Sequence, residues 1–213
     1  MCGRCVIDGL DKALIEVPGE GLGLRVAEGT PVVIDFEAVV AARCKQGMRK
    51  PDILKACKPK PGFKILDATA GFGRDAAVLA SSGAEVMMCE REPILAALLT
   101  DALKRLHADS PLKLRLIKQD AIDYLKTLRV EDYPDIIYLD PMHPVRDKSA
   151  RVKKDLYALQ QLLGADENPL ALLNCARAYA KRCVVLKWPV KKMPLFPSSY
   201  VIKGKTVCFY VYK

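Results

Sequence analysis

Ile65-Leu66-Asp67-Ala68-Thr69-Ala70-Gly71-Phe72-Gly73-Arg74-Asp75-Ala76 reads as a buried strand running into a glycine-containing turn and then a helix. Glycines at 71 and 73 allow a sharp turn and a close approach of the backbone to a ligand. At the carboxyl edge of a parallel sheet, such a unit is where open α/β folds hold nucleotide-like molecules. The flanking sequence supplies that sheet. Short β-rich runs at 63–67, 84–89, 112–117, 135–139 and 182–186 alternate with helical patterns at 74–81, 93–106, 121–128, 150–163 and 169–180. Pro93 and Pro169 suit a first helical turn. After Lys187 the pattern becomes a Pro-rich loop and two runs, Tyr200–Lys203 and Val207–Tyr212, joined through Gly204 as a hairpin. The expected architecture is α/β, with a mostly parallel seven-stranded sheet ending in a C-terminal antiparallel hairpin.

Residues 1–36 differ in character. Strand-like runs at 14–17, 24–27 and 32–36 are separated by Pro18-Gly19, Gly21, Gly23, Gly29 and Pro31, which predicts a small β appendage. A helical lead-in spans 37–62, interrupted near Gly47, and the main α/β domain occupies 63–213. The eight cysteines are scattered through core-like elements, so they do not form a disulfide framework. Cys2 and Cys5 form a C-x-x-C with no second ligand pair at zinc spacing, and no metal is expected. There is no membrane-length apolar run and no secretory leader, which makes the cytoplasm the expected compartment. The net charge is +9, and residues 1–139 hold 20 basic and 20 acidic side chains, against 14 and 5 in 140–213. A neutral body with one basic segment predicts a polyanionic partner.

Two cofactor readings fit the glycine turn. Gly71-x-Gly73-x-x-Ala76 satisfies the dinucleotide pattern, with Glu90 in place for a ribose. However, Asp67-Ala68-Thr69-Ala70 precedes the glycines, whereas a dinucleotide loop starts with glycine at the strand end. An acid ending the first strand, a G-x-G turn and an acid ending the second strand resemble the S-adenosylmethionine site of Rossmann-like methyltransferases. In that reading the glycines pass beneath the amino-acid part of the cofactor and Glu90 accepts both ribose hydroxyls.

Tyr138-Leu139-Asp140-Pro141-Met142-His143-Pro144 ends the fourth core strand. It resembles the Asp/Asn-Pro-Pro-aromatic loop of amino-directed methyltransferases. A base amine is a poor nucleophile because its lone pair is delocalised into the ring. Hydrogen bonds to the Asp140 carboxylate and to the Pro141 carbonyl, which proline holds rigid, favour the pyramidal form that attacks.

Together with Glu90-Arg91-Glu92-Pro93, Ala96-Ala97-Leu98-Leu99 and Lys148-Ser149-Ala150-x-Val152-Lys153-Lys154, these segments resemble the RsmJ family, bacterial 16S ribosomal RNA guanine-N2 methyltransferases. The resemblance implies S-adenosyl-L-methionine as cofactor and 16S ribosomal RNA within the small subunit as partner. It places cofactor contacts at Asp67, Gly71, Gly73, Arg74, Asp75, Glu90, Arg91, Asp120, Ala121 and Asp140. Catalysis falls to Asp140, Pro141 and His143, where the family usually has Phe, and RNA contact to Lys148, Arg151, Lys153 and Lys154. Competing functions are a methyltransferase acting on DNA, a protein or a small amine, an NAD-dependent oxidoreductase, and a non-catalytic RNA-binding protein.

Overall fold

The computed structural model describes residues 13–25, 29–45, 50–141 and 168–213. The helix expected at 150–163 lies outside them, as do Cys2 and Cys5. The main sheet has seven strands: β4 (Lys64–Asp67), β5 (Glu85–Cys89), β6 (Lys113–Ile117), β7 (Ile136–Leu139), β8 (Cys183–Pro189), β9 (Tyr200–Lys203) and β10 (Val207–Tyr212). Their order is β6-β5-β4-β7-β8-β10-β9, parallel from β6 to β8 and antiparallel from β8 through β10 to β9.

Strand alternation assigns the two faces. Ile65, Ile136, Tyr138 and Val185 join one core, together with Phe209 and Val211. Leu66, Ile137, Leu139, Val184 and Leu186 join the other. Both faces are apolar because helices cover both, as a parallel sheet requires. The first face packs against α1 (Phe36–Lys45), α2 (Asp52–Cys57), α3 (Arg74–Ala80) and α4 (Pro93–Arg105), and the second against α5 (Ala121–Thr127) and α6 (Pro169–Tyr179). The prolines at 93 and 169 sit in first turns as expected. Asp120 and Asn168 cap α5 and α6 by accepting from Ile122 N–H and Ala171 N–H.

The N-terminal strands β1 (Leu14–Val17), β2 (Gly21–Leu24) and β3 (Val32–Val33) form a separate antiparallel sheet. Its middle strand lies earlier than the expected 24–27. Glu20 N–H closes a tight turn onto Val17 O at 3.0 Å, so pairing resumes at Gly21. Nor does the third strand reach 36, because Asp35 accepts from Ala38 N–H at 2.8 Å and starts α1. Asp101 and Arg105 of α4 bind this sheet to the main body through Leu22 N–H at 3.0 Å and Ile34 O at 2.7 Å. Leu24, Ile34 and Phe36 complete the first core.

Where β4 hands over to α3, Gly73 adopts φ +66°, and a Cβ there would lie 2.8 Å from the Phe36 ring and 3.0 Å from Leu99. Besides the ligand role expected of it, this glycine makes room for the core. Gly73→Ala should cost about 2–4 kcal/mol, the left-handed strain plus overpacking. Gly62→Ala, at φ +79° in open space, should cost only about 1 kcal/mol. Urea midpoints measure both, and equal losses would mean that the Phe36–Leu99 contact yields freely.

Candidate active site

The carboxyl ends of β4, β5 and β7 meet above the sheet. Ala68 N–H continues the strand ladder to Tyr138 O at 3.0 Å and Ala70 N–H bonds Cys89 O at 3.2 Å, which fixes the β4–α3 loop between its neighbours. Beside the loop opens a cavity of 270 Å³, lined by Thr69, Gly71, Glu90, Arg91, Asp120, Ala121 and Asp140, with Leu95, Ile122 and Leu172 as apolar walls.

Glu90 is 8% exposed, and its two oxygens are anchored separately: Oε2 accepts from Gly71 N–H and Oε1 from Glu92 N–H, each at 2.9 Å. Burial pushes its pKa up, only partly offset by these two amides. A carboxylate oxygen has more than one acceptor site, so both can still take a donor from the cavity. Asp120 divides its work, with Oδ1 capping α5 and Oδ2 paired to Arg91 at 3.2 Å.

Asp140 follows β7. Its N–H donates to Thr69 Oγ1 at 2.6 Å, and its Oδ2 accepts from Lys187 Nζ at 2.7 Å. The same ammonium donates to Asp75 Oδ2 at 2.9 Å, which also takes the Tyr138 hydroxyl at 2.6 Å. Alternation explains the meeting: Tyr138 and Lys187 occupy the same parity as Ile136 and Val185, so both face α3 and its first-turn Asp75. Burial opposes the Asp75 carboxylate, but Lys187 and Tyr138 outweigh it and hold its pKa below the ordinary value. Burial of Lys187 is likewise outweighed by Asp140 and Asp75, which raise its pKa.

Of the residues expected at the cofactor, Gly71, Glu90, Arg91, Asp120, Ala121 and Asp140 line one cavity. Asp67, Gly73, Arg74 and Asp75 are not among its lining. Asp67 is 1% exposed, accepts from Thr69 N–H at 3.1 Å, and is pushed by burial up to about 8. Arg74 lies over the Phe72 ring and lines a neighbouring groove with Arg43. Pro141 is buried, while His143, Lys148, Arg151, Lys153 and Lys154 lie outside the described residues. Lys187 is the residue the sequence reading missed. The strand was expected to stop at 186, yet β8 runs to Pro189, and a lysine inside the apolar run Val184-Val185-Leu186-Lys187-Trp188 was the available signal.

Residues 11–213 match the family model described as "Putative SAM-dependent methyltransferase". The chain is 48% identical over 198 residues to a ribosomal RNA small subunit methyltransferase J from Legionella pneumophila (strain Lens), covering 92% of this chain and 82% of that protein. It is 41% identical to a protein of the same name from Thioalkalivibrio sulfidiphilus, covering 91% and 82%. A crystal structure of a SAM-dependent methyltransferase from Neisseria gonorrhoeae superposes with a TM-score of 0.68 at 30% identity, covering 99% of this chain and 92% of that one. With the expected sheet in place and Gly71, Glu90 and Asp140 lining one cavity at its carboxyl edge, these matches establish that the chain belongs to the S-adenosylmethionine-dependent methyltransferases, in the family of ribosomal RNA small subunit methyltransferase J.

Proposed function

We propose that the protein methylates the exocyclic N2 amine of a guanine in 16S small-subunit ribosomal RNA, in the cytoplasm and within the small subunit or its precursor. Residues 63–213 act as the methyltransferase domain, with 1–36 and 37–62 as additions to it. The carrying observation is that Asp140 lines the cavity while Lys187 grips it from behind. The names of the relatives, small-subunit ribosomal RNA methyltransferases, support the substrate.

The cavity suits the cofactor. Apolar walls at Leu95, Ile122 and Leu172 fit an adenine, Glu90 fits a ribose, and Gly71 admits a chain close to the backbone. S-adenosyl-L-methionine supplies, when bound, a methyl group made electrophilic by its sulfonium. Asp140 accepts a hydrogen bond from the base amine, and the Pro141 carbonyl takes the second, so the nitrogen lone pair leaves conjugation and points at the methyl carbon. The amine nitrogen would become cationic as it takes the methyl group, the broken C–S pair staying on the departing thioether sulfur; the Asp140 charge would stabilise that cation, and the surplus amine proton would pass to solvent. Lys187, 2.7 Å from Asp140 Oδ2, sets a positive charge beside this carboxylate, which suits an electrostatic acceptor more than a strong base.

Three outcomes are expected. Calorimetry with S-adenosylhomocysteine should show binding that Glu90→Ala weakens by about 1–3 kcal/mol. A wild type that binds NAD and not S-adenosylhomocysteine would defeat the cofactor assignment.

Asp140→Ala should slow labelled methyl transfer into unmodified small-subunit RNA by about two orders of magnitude or more while RNA binding survives. Nucleoside analysis should find N2-methylguanosine, and any other product overturns the guanine assignment.

Lys187→Met removes the cation that holds the Asp75 pKa down, so burial should then drive it up. In the wild type a depressed Asp75 favours the folded state above the unfolded pKa and loses that advantage as pH falls. In the variant the sign inverts for this group, so its melting temperature should gain on that of the wild type from pH 7.5 toward about pH 5, a difference from which the raised Asp67, common to both, drops out. A variant with the wild-type pH trend would show that Lys187 does not control this carboxylate.

A further inference from the structure

Residues 168–213 contain nine lysines and arginines and no aspartate or glutamate. The sheet register shows where part of this charge goes. Leu139 pairs with Leu186, so Lys187 stands level with Asp140. One residue farther, Trp188 pairs with Cys208, which pairs with Lys203. Lys203 therefore lies on the same carboxyl edge as Asp140, two strands beyond Trp188, or about 10 Å at the usual strand spacing. The turn that follows is tight. Gly204 N–H bonds Val207 O at 2.9 Å, and a Cβ at 204 would lie 2.7 Å from that oxygen, so Lys203 and Lys205 flank a bend only glycine can make. Val190 N–H bonds Thr206 O at 3.1 Å and brings the next loop, with Lys191, alongside.

These lysines are exposed and, among the described residues, Lys191, Lys203 and Lys205 have no carboxylate partner. The Asp52 carboxylate, 3.4 Å from a Cβ at 204, is taken by Lys55 at 2.7 Å. The same loop displays apolar surface. The buried Trp188 pins its backbone by donating Nε1–H to Met193 O at 2.9 Å, yet the Met193 side chain is 87% exposed and Val190 46%. A pinned backbone that holds a large apolar side chain in water beside unpaired cations matches the surface of a partner that is both polyanionic and stacked.

We infer that Lys191, Lys203, Lys205 and Met193 form the RNA-docking rim, taking the phosphates of an unpaired strand beside the target guanine and resting one of its bases on Met193. This rests on the RNA reading proposed above. Access to an exocyclic amine requires the base to leave its stack, which favours unpaired flanking nucleotides at the rim.

The test compares two double variants of equal charge change, Lys203→Glu/Lys205→Glu at the rim and Arg182→Glu/Lys213→Glu at the opposite end of β8 and β10. The probe is transcribed small-subunit ribosomal RNA, titrated over a range of potassium chloride concentrations, with S-adenosylhomocysteine calorimetry as the check on folding. The rim variant should bind RNA at least about tenfold more weakly, with a salt slope shallower by about 1–2, and keep wild-type S-adenosylhomocysteine affinity. The distal variant should lose no more than about threefold. Met193→Ser should weaken binding without changing the slope, as a base contact and not a phosphate contact would. Equal losses from the two double variants, or none from the rim variant, overturn the surface while the RNA reading stands. A wild type with no salt-dependent RNA affinity overturns both.

Discussion

The Lys187 ammonium, held between Asp75 at 2.9 Å and Asp140 at 2.7 Å, is the contact on which the catalytic edge of this sheet depends. Two carboxylates brought this close to one point would repel, and the Asp75 side chain, only 19% exposed, has little water to screen it. One cation between them reverses that balance. It also joins elements distant in sequence, because Lys187 belongs to β8, Asp75 to α3 and Asp140 to the end of β7, with Tyr138 closing the set from within β7. Removing either carboxylate leaves the other to answer the cation alone. Removing the cation leaves two anions facing each other.

Around that contact the same side-chain chemistry is tuned to different charge states. Asp67, at the end of β4, is pushed by burial up to about 8 and is largely neutral at pH 7. Asp75, two turns of backbone away, is kept anionic by Lys187 and Tyr138 against its own burial. Glu90 is raised by burial but held by two backbone amides. Environments that push like groups apart are how one site assigns separate roles to several acids. Here the neutral acid sits in the core, the paired acids at the reaction edge, and the amide-anchored acid at the cavity wall.

The parallel core was legible in the sequence because burial on both sheet faces makes each strand an uninterrupted apolar run, and the glycine turn and Asp140 stand at the ends of two such runs. The hairpin was legible too, since Gly204 divides two β-rich stretches at the observed bounds. Lys187 was hidden by the same logic: a charge inside an apolar run reads as the end of a strand unless its partners are known, and those partners lie 112 and 47 residues away in sequence. The packing duty of Gly73 was hidden for a related reason. The pattern G-x-G cannot distinguish a glycine that spares a ligand from one that spares Phe36. In the N-terminal sheet, several glycines and prolines left the register open, and the Val17–Glu20 turn decided it.

The sheet also sorts charge by strand order. On the β4–β6 side the cavity wall carries Glu90 and Asp120, whereas the chain that builds β8, β10 and β9 contains no acidic residue at all. A cationic sulfonium is better accommodated on the first side and a polyanion on the second, because each meets opposite charge without reorganisation of the protein. Strand β7 lies between the two halves, and Asp140 ends it. Lys187, on the next strand, thus ties the acid-free side of the sheet to the acid that ends β7. A methyl group passing from a cationic donor to a nucleic-acid base has to cross that boundary, and the fold places the Lys187–Asp140 ion pair there.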